Sequence, residues 1–304
     1  MSIGKRAGRH LTAGSLKHAS AGDVLNVIGL LLLAFATVYP FIYLVSVSIS
    51  DPALLSRKDV ILLPRGLSLE TYATVMQDNQ LWNGYKNTII QTALDVTIGI
   101  TCTMMMAYPL ALRGDFTRYS SVIMKMVLVT MYFSGGLIPS FLLVKHLGMI
   151  DTVWALVMPG MVSSFHLIIA RTFIQQLPAD LYDASAIDGA NEAQTFFRIV
   201  LPLCMPIVAV ITLYRAVSAW NAFFTPLLYL NTPSKYPLQI YLRQLITQAQ
   251  MTEYREMANE SLGGIASMSI RACVLVVSTV PILIAYPFLQ KYFVKGMMIG
   301  AIKG

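Results

Sequence analysis

Charge is scarce in this chain. Only 12% of its 304 residues are charged, where a soluble domain carries roughly a quarter. With 56% hydrophobic residues and a mean hydropathy of +0.64, it has too much apolar surface to cover in water. An integral membrane protein is expected. Cysteine is scarce too. Cys102, Cys204 and Cys273 each fall inside an apolar run, which fits packed small side chains and neither a disulfide set nor a metal site. His146 and His166 are isolated, with no second ligand at metal spacing, so no metal is expected. The phosphate-binding pattern GxxxxGK[S/T] is missing, so the chain is not expected to hydrolyse ATP itself. No nucleophile–base arrangement and no tandem repeat stand out. The formal charge of +7 comes from basic residues near the ends of apolar runs. Membrane orientation explains them better than nucleic acid.

What is present is a series of apolar runs. Residues 1–20 form a basic arm with Lys5, Arg6, Arg9 and Lys17. The run Val24–Ile49 is too long for a signal-peptide core and is read as a retained first span, with Pro40 as a candidate kink. Residues 50–86 carry turn signals and are placed outside. A second span covers Asn87–Leu112 and is polar for a span, with Gln91, Asp95 and several threonines. A third covers Ser121–Val144, where Ser134-Gly135-Gly136 and Pro139 signal close packing or a break. The fourth covers Thr152–Ile174, the fifth Ile199–Leu230 and the sixth Ile270–Tyr292. Residues 231–269 are polar and are placed outside. Six spans put both termini on one side, and the basic residues of the short segments mark that side as cytoplasmic.

Residues 177–202 are a polar, helix-compatible island between the fourth and fifth spans. Asp180 is a candidate cap for a first short helix, with Asp183 as its box partner. Gly189 sits where a helix C-terminus needs a left-handed residue. Asn191 and Gln194 form a second capping box. Leu181, Tyr182 and Ile187 have nothing within the loop to bury against, so a partner on the water side is expected. The spacing Asp183-Ala184-Ser185, Gly189, Ile199, Leu201-Pro202 resembles the EAA loop of permeases in ATP-binding-cassette importers. That pattern begins Glu-Ala-Ala, has Gly six residues later and ends Ile-x-Leu-Pro. Asp183 and Ser185 depart from it conservatively.

Further resemblances narrow the branch. Asp95 and Arg215 lie inside spans, where an ionised group costs roughly 2.5–3.5 kcal/mol, so each must face protein or water. Either they pair or they line a substrate path. Tyr214, Arg215, Ser218 and Asn221 fall at helical spacing on roughly one face. With Trp220 and Phe224 they make an aromatic and amide segment suited to sugar rings, although an interfacial aromatic belt has the same composition. Trp220-Asn221 followed by aromatics and Pro226-Leu227 looks like the maltose-type sugar branch. The glycine-rich tail 295–304, with Gly296, Gly300, Lys303 and Gly304, is similar to the tail that in that branch reaches into the ATPase dimer. Phe133–Pro139 and Tyr236–Gln239 look like a subgroup for complex oligosaccharides.

The resemblance implies an all-α membrane protein with the type I ABC importer permease fold. Six transmembrane helices would carry cytoplasmic coupling helices between spans four and five, and 21–304 would form one permease domain. It implies a second, different permease subunit, a cytoplasmic ATPase dimer that binds ATP and Mg, and an extracytoplasmic solute-binding protein. No cofactor is expected in this chain. Leu181, Tyr182, Asp183, Ala184, Ser185, Ile187, Asp188, Gly189, Gly300 and Lys303 would meet the ATPase. The substrate would be an oligosaccharide, with an acidic one derived from alginate or pectin among the candidates. A non-sugar ABC permease, an ion-coupled transporter using Asp95 and a receptor that moves nothing are the competing classes.

Overall fold

A computed structural model describes residues 21–51, 63–64, 66–112, 117–259, 268–281 and 283–284. Among them the structure is helical, with one isolated β-bridge between Ser50 and Leu67. The basic arm, most of segment 50–65 and the tail 295–304 lie outside the described residues.

The first helix, α1 (Ala21–Ser48), contains Pro40. Leu25, Leu31, Leu32 and Phe35 along it are exposed. Burying each such side chain is worth about 1.5–3 kcal/mol, so this surface is made for lipid or another helix. Helix α2 (Glu70–Met76) is short. The pillar is α3 (Asn79–Ala111), whose N-cap Asp78 accepts a hydrogen bond from Gln80 N at 2.8 Å. At 1.5 Å per residue it is roughly 50 Å long, well beyond the ~30 Å of a bilayer core. It starts earlier than the span expected at Asn87, because Leu81 is fully buried in a cluster with Leu238, Tyr241, Cys273 and Val274.

The next three runs are bent. Helices α4 (Thr117–Tyr132) and α5 (Leu137–His146) meet at 114° across Phe133–Gly136. Of the two readings of the glycine pair, a break is the outcome. Helix α6 (Trp154–Val157) continues as a 3-10 turn, Met158–Gly160, and turns 50° into α7 (Ser164–Ile174). After the polar loop, a π-turn (Phe196–Val200) and a short helical piece (Leu201–Leu203) lead to a 75° bend into α10 (Met205–Trp220). Pro202 and Pro206 have no N–H to give to the carbonyls four residues back, which frees this corner to bend. The expected fifth span therefore ends at Trp220, and α11 (Phe224–Tyr229) follows. Segment 231–269 is mainly α12 (Leu238–Asn259), packed on the N-terminal end of α3. Helix α13 (Met268–Pro281) is the described part of the sixth run.

By length and composition, Leu25–Ser48 and Asn79–Ala111 can each cross a membrane, and each bent pair can make one broken span. The main core joins Met104 and Ala107 of α3, Met124 of α4, Leu167, Ala170 and Ile174 of α7, and Phe196, Val200, Cys204 and Ile211 of the bent run. It sits toward the C-terminal end of α3, beside the polar loop.

Candidate functional site

The polar loop folds into two short helices, α8 (Asp180–Ile187) and α9 (Glu192–Thr195). The N-cap of α8 is Ala179 and no side chain caps it, so the expected role of Asp180 is not realised. Asp180 is instead the first helical residue, where a carboxylate still suits the helix dipole. The stop of α8 is a Schellman motif. Gly189 N donates to Ala186 O at 3.1 Å, Ala190 N donates to Ser185 O at 3.0 Å, and Gly189 has φ 72°. Asn191 and Gln194 make a complete capping box at 2.9 and 3.0 Å.

This loop is tied to the bundle. Tyr182 packs against the main core, and burial pushes its phenol pKa up. Ser185 is buried; its Oγ donates to Tyr182 O and accepts from Thr195 Oγ1 at 3.2 Å, joining α8 to the end of α9. Tyr108 donates to Glu192 Oε2 at 2.6 Å, and Arg171 Nε donates to Leu110 O at 2.8 Å. The sites expected to meet a partner therefore divide. Leu181 is half-buried, and Tyr182 and Ser185 face inward. Asp183, Ala184, Ile187, Asp188 and Gly189 are exposed. Ile187 is 86% exposed, a bare apolar tip on a helix whose other side is anchored. A cleft of about 170 Å³ beside Tyr182 and Asp183 reaches Leu112 and Gln175.

The α10 residues divide as well. Arg215 is 4% exposed and lies with Ile211 and Ala219 on the buried face. Its guanidinium donates to Asp95 Oδ1 at 2.9 Å, Asp95 O at 3.0 Å and Gly160 O at 3.2 Å. Arg215 thus clamps α3 and the 3-10 turn, and the pairing alternative for these two charges is the one the geometry adopts. Gly99 makes room for it: a Cβ there would overlap the guanidinium. The expectation that Arg215 shares a face with Tyr214, Ser218 and Asn221 is corrected. Tyr214, Val217, Ser218 and Asn221 form the exposed stripe, whereas the i, i+4, i+8 set through Arg215 packs inward.

Phe165 and His166 of α7 join Tyr214 from the side, with the Phe165 and Tyr214 rings edge-on at 6.4 Å. Trp220 packs against the second cluster, around Leu81 and Leu238. Asn221 Nδ2 donates back to Val217 O. Phe224 is exposed, and Arg243 stands 4.4 Å over Phe223. Phe165, Gly99, Tyr108 and Glu192 escaped the sequence reading, because only tertiary contact gives them a role. Gly300 and Lys303 lie outside the described residues. Among the described residues, no group of three His, Cys, Asp or Glu side chains could hold a metal.

A helical bundle of broken spans, carrying a short helix anchored along one face and exposed on the other, defines the class: a membrane permease similar in fold to type I ABC importer subunits. Residues 96–299 match the family model for the binding-protein-dependent transport system inner membrane component, and the chain belongs to that family. It is 37% identical to Protein LplC of Bacillus subtilis (strain 168), over 95% of this chain and 98% of that one. It is also 37% identical to the polygalacturonan/rhamnogalacturonan transport system permease protein YtcP of the same strain, over 90% of this chain and 96% of that one. Among solved structures, a chain of a bacterial ABC transporter involved in import of the acidic polysaccharide alginate superposes with a TM-score of 0.81. That match has 31% identity and covers 90% of this chain and 98% of that one.

Proposed function

We propose that this chain is one permease subunit of an ATP-driven importer that carries an acidic oligosaccharide across the cytoplasmic membrane by alternating access. The likeness to a subunit of an alginate importer and to a polygalacturonan/rhamnogalacturonan permease supports the substrate class. In this reading the chain makes six spans with both termini cytoplasmic. A second, different permease completes the path, an ATPase dimer binds ATP and Mg, and an extracytoplasmic binding protein delivers the sugar.

The observation that carries the mechanism is the anchoring of α8. Its inner face is held by Tyr182 and Ser185, and its outer face offers Ile187 beside Asp183, Ala184 and Asp188. A helix held on one side transmits a push; a loose loop does not. The ATPase dimer would grip that outer face, with Gly300 and Lys303 as further contacts from the tail. Closure would swing α8 and α9, and the Tyr108–Glu192 bond would pass the motion to α3. The exposed stripe of Tyr214, Ser218 and Asn221, extended by Phe165 and Phe224, would face the sugar. Asp95 is held by Arg215 through an ion pair, which makes it a poor ion-coupling site and disfavours a secondary transporter.

The test is uptake of radiolabelled trigalacturonate by proteoliposomes holding the complete complex, with its binding protein inside the assay. Uptake that needs ATP and survives an uncoupler is expected. Uptake that persists without ATP and collapses with the uncoupler would reject the reading.

A further inference from the structure

Along α3, Asn87, Gln91 and Asp95 fall at i, i+4 and i+8 and form one polar stripe. Both ends of the stripe are satisfied inside the chain. Asn87 Nδ2 donates to Ser234 O at 2.8 Å and to Tyr236 O at 3.2 Å. Asp95 holds Arg215. The middle is not satisfied. Gln91 is only 4% exposed, and its Oε1 has no hydrogen-bond partner among the described residues. A buried polar atom left in this state costs about 1–3 kcal/mol. Oε1 has almost no exposed surface of its own, so a donor from elsewhere reaches it once the carboxamide turns toward the adjoining cleft.

Gln91 lines a cleft of about 240 Å³, shared with Asn87, Asp151, Thr152, Leu156 and Lys235. That space equals roughly eight waters at about 30 Å³ each, enough for one six-membered sugar ring. The lining is mixed. Ile90, Leu230 and Pro237 also border it, and such walls suit the C–H faces of a ring better than a water cluster. The charges at its edge are already engaged. The Asp151 carboxylate is bonded by Lys235, Thr232 and Asn231. What remains available is a carboxamide, which reads hydroxyls: its oxygen accepts from an O–H and its NH₂ can donate to a ring or hydroxyl oxygen.

We propose that this cleft is a subsite for a single sugar ring, read through its hydroxyls by Gln91, near the end of the bundle opposite the α8–α9 loop. The inference rests on the importer reading above and names where one residue of the oligosaccharide is held. A hydroxyl fills the vacant Oε1, whereas a carboxylate does not. The acceptor therefore selects a hydroxyl, while the NH₂ group takes a hydroxyl, ring or carboxylate oxygen.

The test uses the complete complex of both permeases and the ATPase in nanodiscs, without binding protein, so that affinity reports the permease alone. Equilibrium binding of radiolabelled trigalacturonate is compared for the native protein, Gln91→Leu and Leu156→Trp. The first variant keeps the size of Gln91 and removes its hydrogen bonds; the second fills the cleft. Both are expected to weaken binding about tenfold or more, with basal ATP hydrolysis unchanged. Should Gln91→Leu fail to assemble, Leu156→Trp carries the test. Density from the complex with the probe present is expected to show a ring at Gln91. Native-like affinity in the variants, or density showing only water or a partner-permease side chain at Gln91, overturns the subsite and leaves the importer reading standing. A native complex that neither binds nor takes up any sugar overturns both.

Discussion

Arg215 ties three elements of the interior together. It reaches from α10 to the Asp95 side chain and backbone and to Gly160, and the space it occupies exists because position 99 has no side chain. Removing one partner of a buried pair costs about 3–5 kcal/mol, since the other charge is stranded. Displacing the arginine from outside strands both. Gly99→Val is therefore expected to reduce the amount of assembled complex at least tenfold, measured by blotting and size-exclusion of detergent extracts. Gly84→Ala serves as the control. It presses on the Leu238 backbone at 3.1 Å rather than on a charge, so a milder loss is expected. Equal losses would show that Gly99 matters only for helix packing.

At the scale of elements, α8 owes its direction to Gly189. With φ 72°, this residue closes the Schellman motif and starts the turn to Asn191. A left-handed conformation costs an L-residue about 1–2 kcal/mol and is worst for a β-branched one. None of the described residues lies within 4 Å of a Cβ at this position, so the penalty is conformational and not steric crowding. Gly189→Val is expected to cut uptake at least tenfold with the membrane amount unchanged, and Gly189→Asn to retain most of it. Normal uptake in the valine variant would remove α8 from the coupling path.

A second element-scale device is the latch at the other end. Asp151, at φ 61°, accepts from Lys235 Nζ and Thr232 Oγ1 at 2.7 Å and from the Asn231 and Thr232 N–H groups at 3.0 Å. The Lys235 bond, then those of Thr232 and Asn231, hold the Asp151 pKa well below the usual carboxylate range. A depressed folded-state pKa contributes stability that is fully present above the unfolded value, about 3.9, and is lost as pH falls through the folded one. Asp151→Asn is expected to lower the melting temperature at pH 7, with the gap to native protein closing only below about pH 4. A gap unchanged at pH 3, or absent at pH 7, would show that the latch carries no charge-dependent stability.

At the scale of the molecule, sequence and structure contributed different things. Membrane residence was legible from composition, and so was the existence of a polar loop with a glycine stop and the Asn191–Gln194 box. These depend on local chemistry: hydropathy over a run, a backbone conformation only glycine tolerates easily, and donors three residues apart. The faces of α10 were legible only in part, because Tyr214 and Arg215 are neighbours in sequence yet Arg215 is buried and Tyr214 is exposed. Periodicity alone gives faces and does not say which one is buried.

The family was legible in the EAA-like spacing, and the comparisons place the chain there. By itself, then, the sequence determined that the chain is an apolar helical permease with a short capped elbow. Only the tertiary structure decided that Arg215 closes on Asp95, that Tyr182 and Ser185 turn inward while Ile187 turns out, and that Gln91 Oε1 is left without a partner among the described residues. Each of those outcomes joins residues from different helices or depends on what another helix covers, and no local pattern encodes which distant helix will arrive.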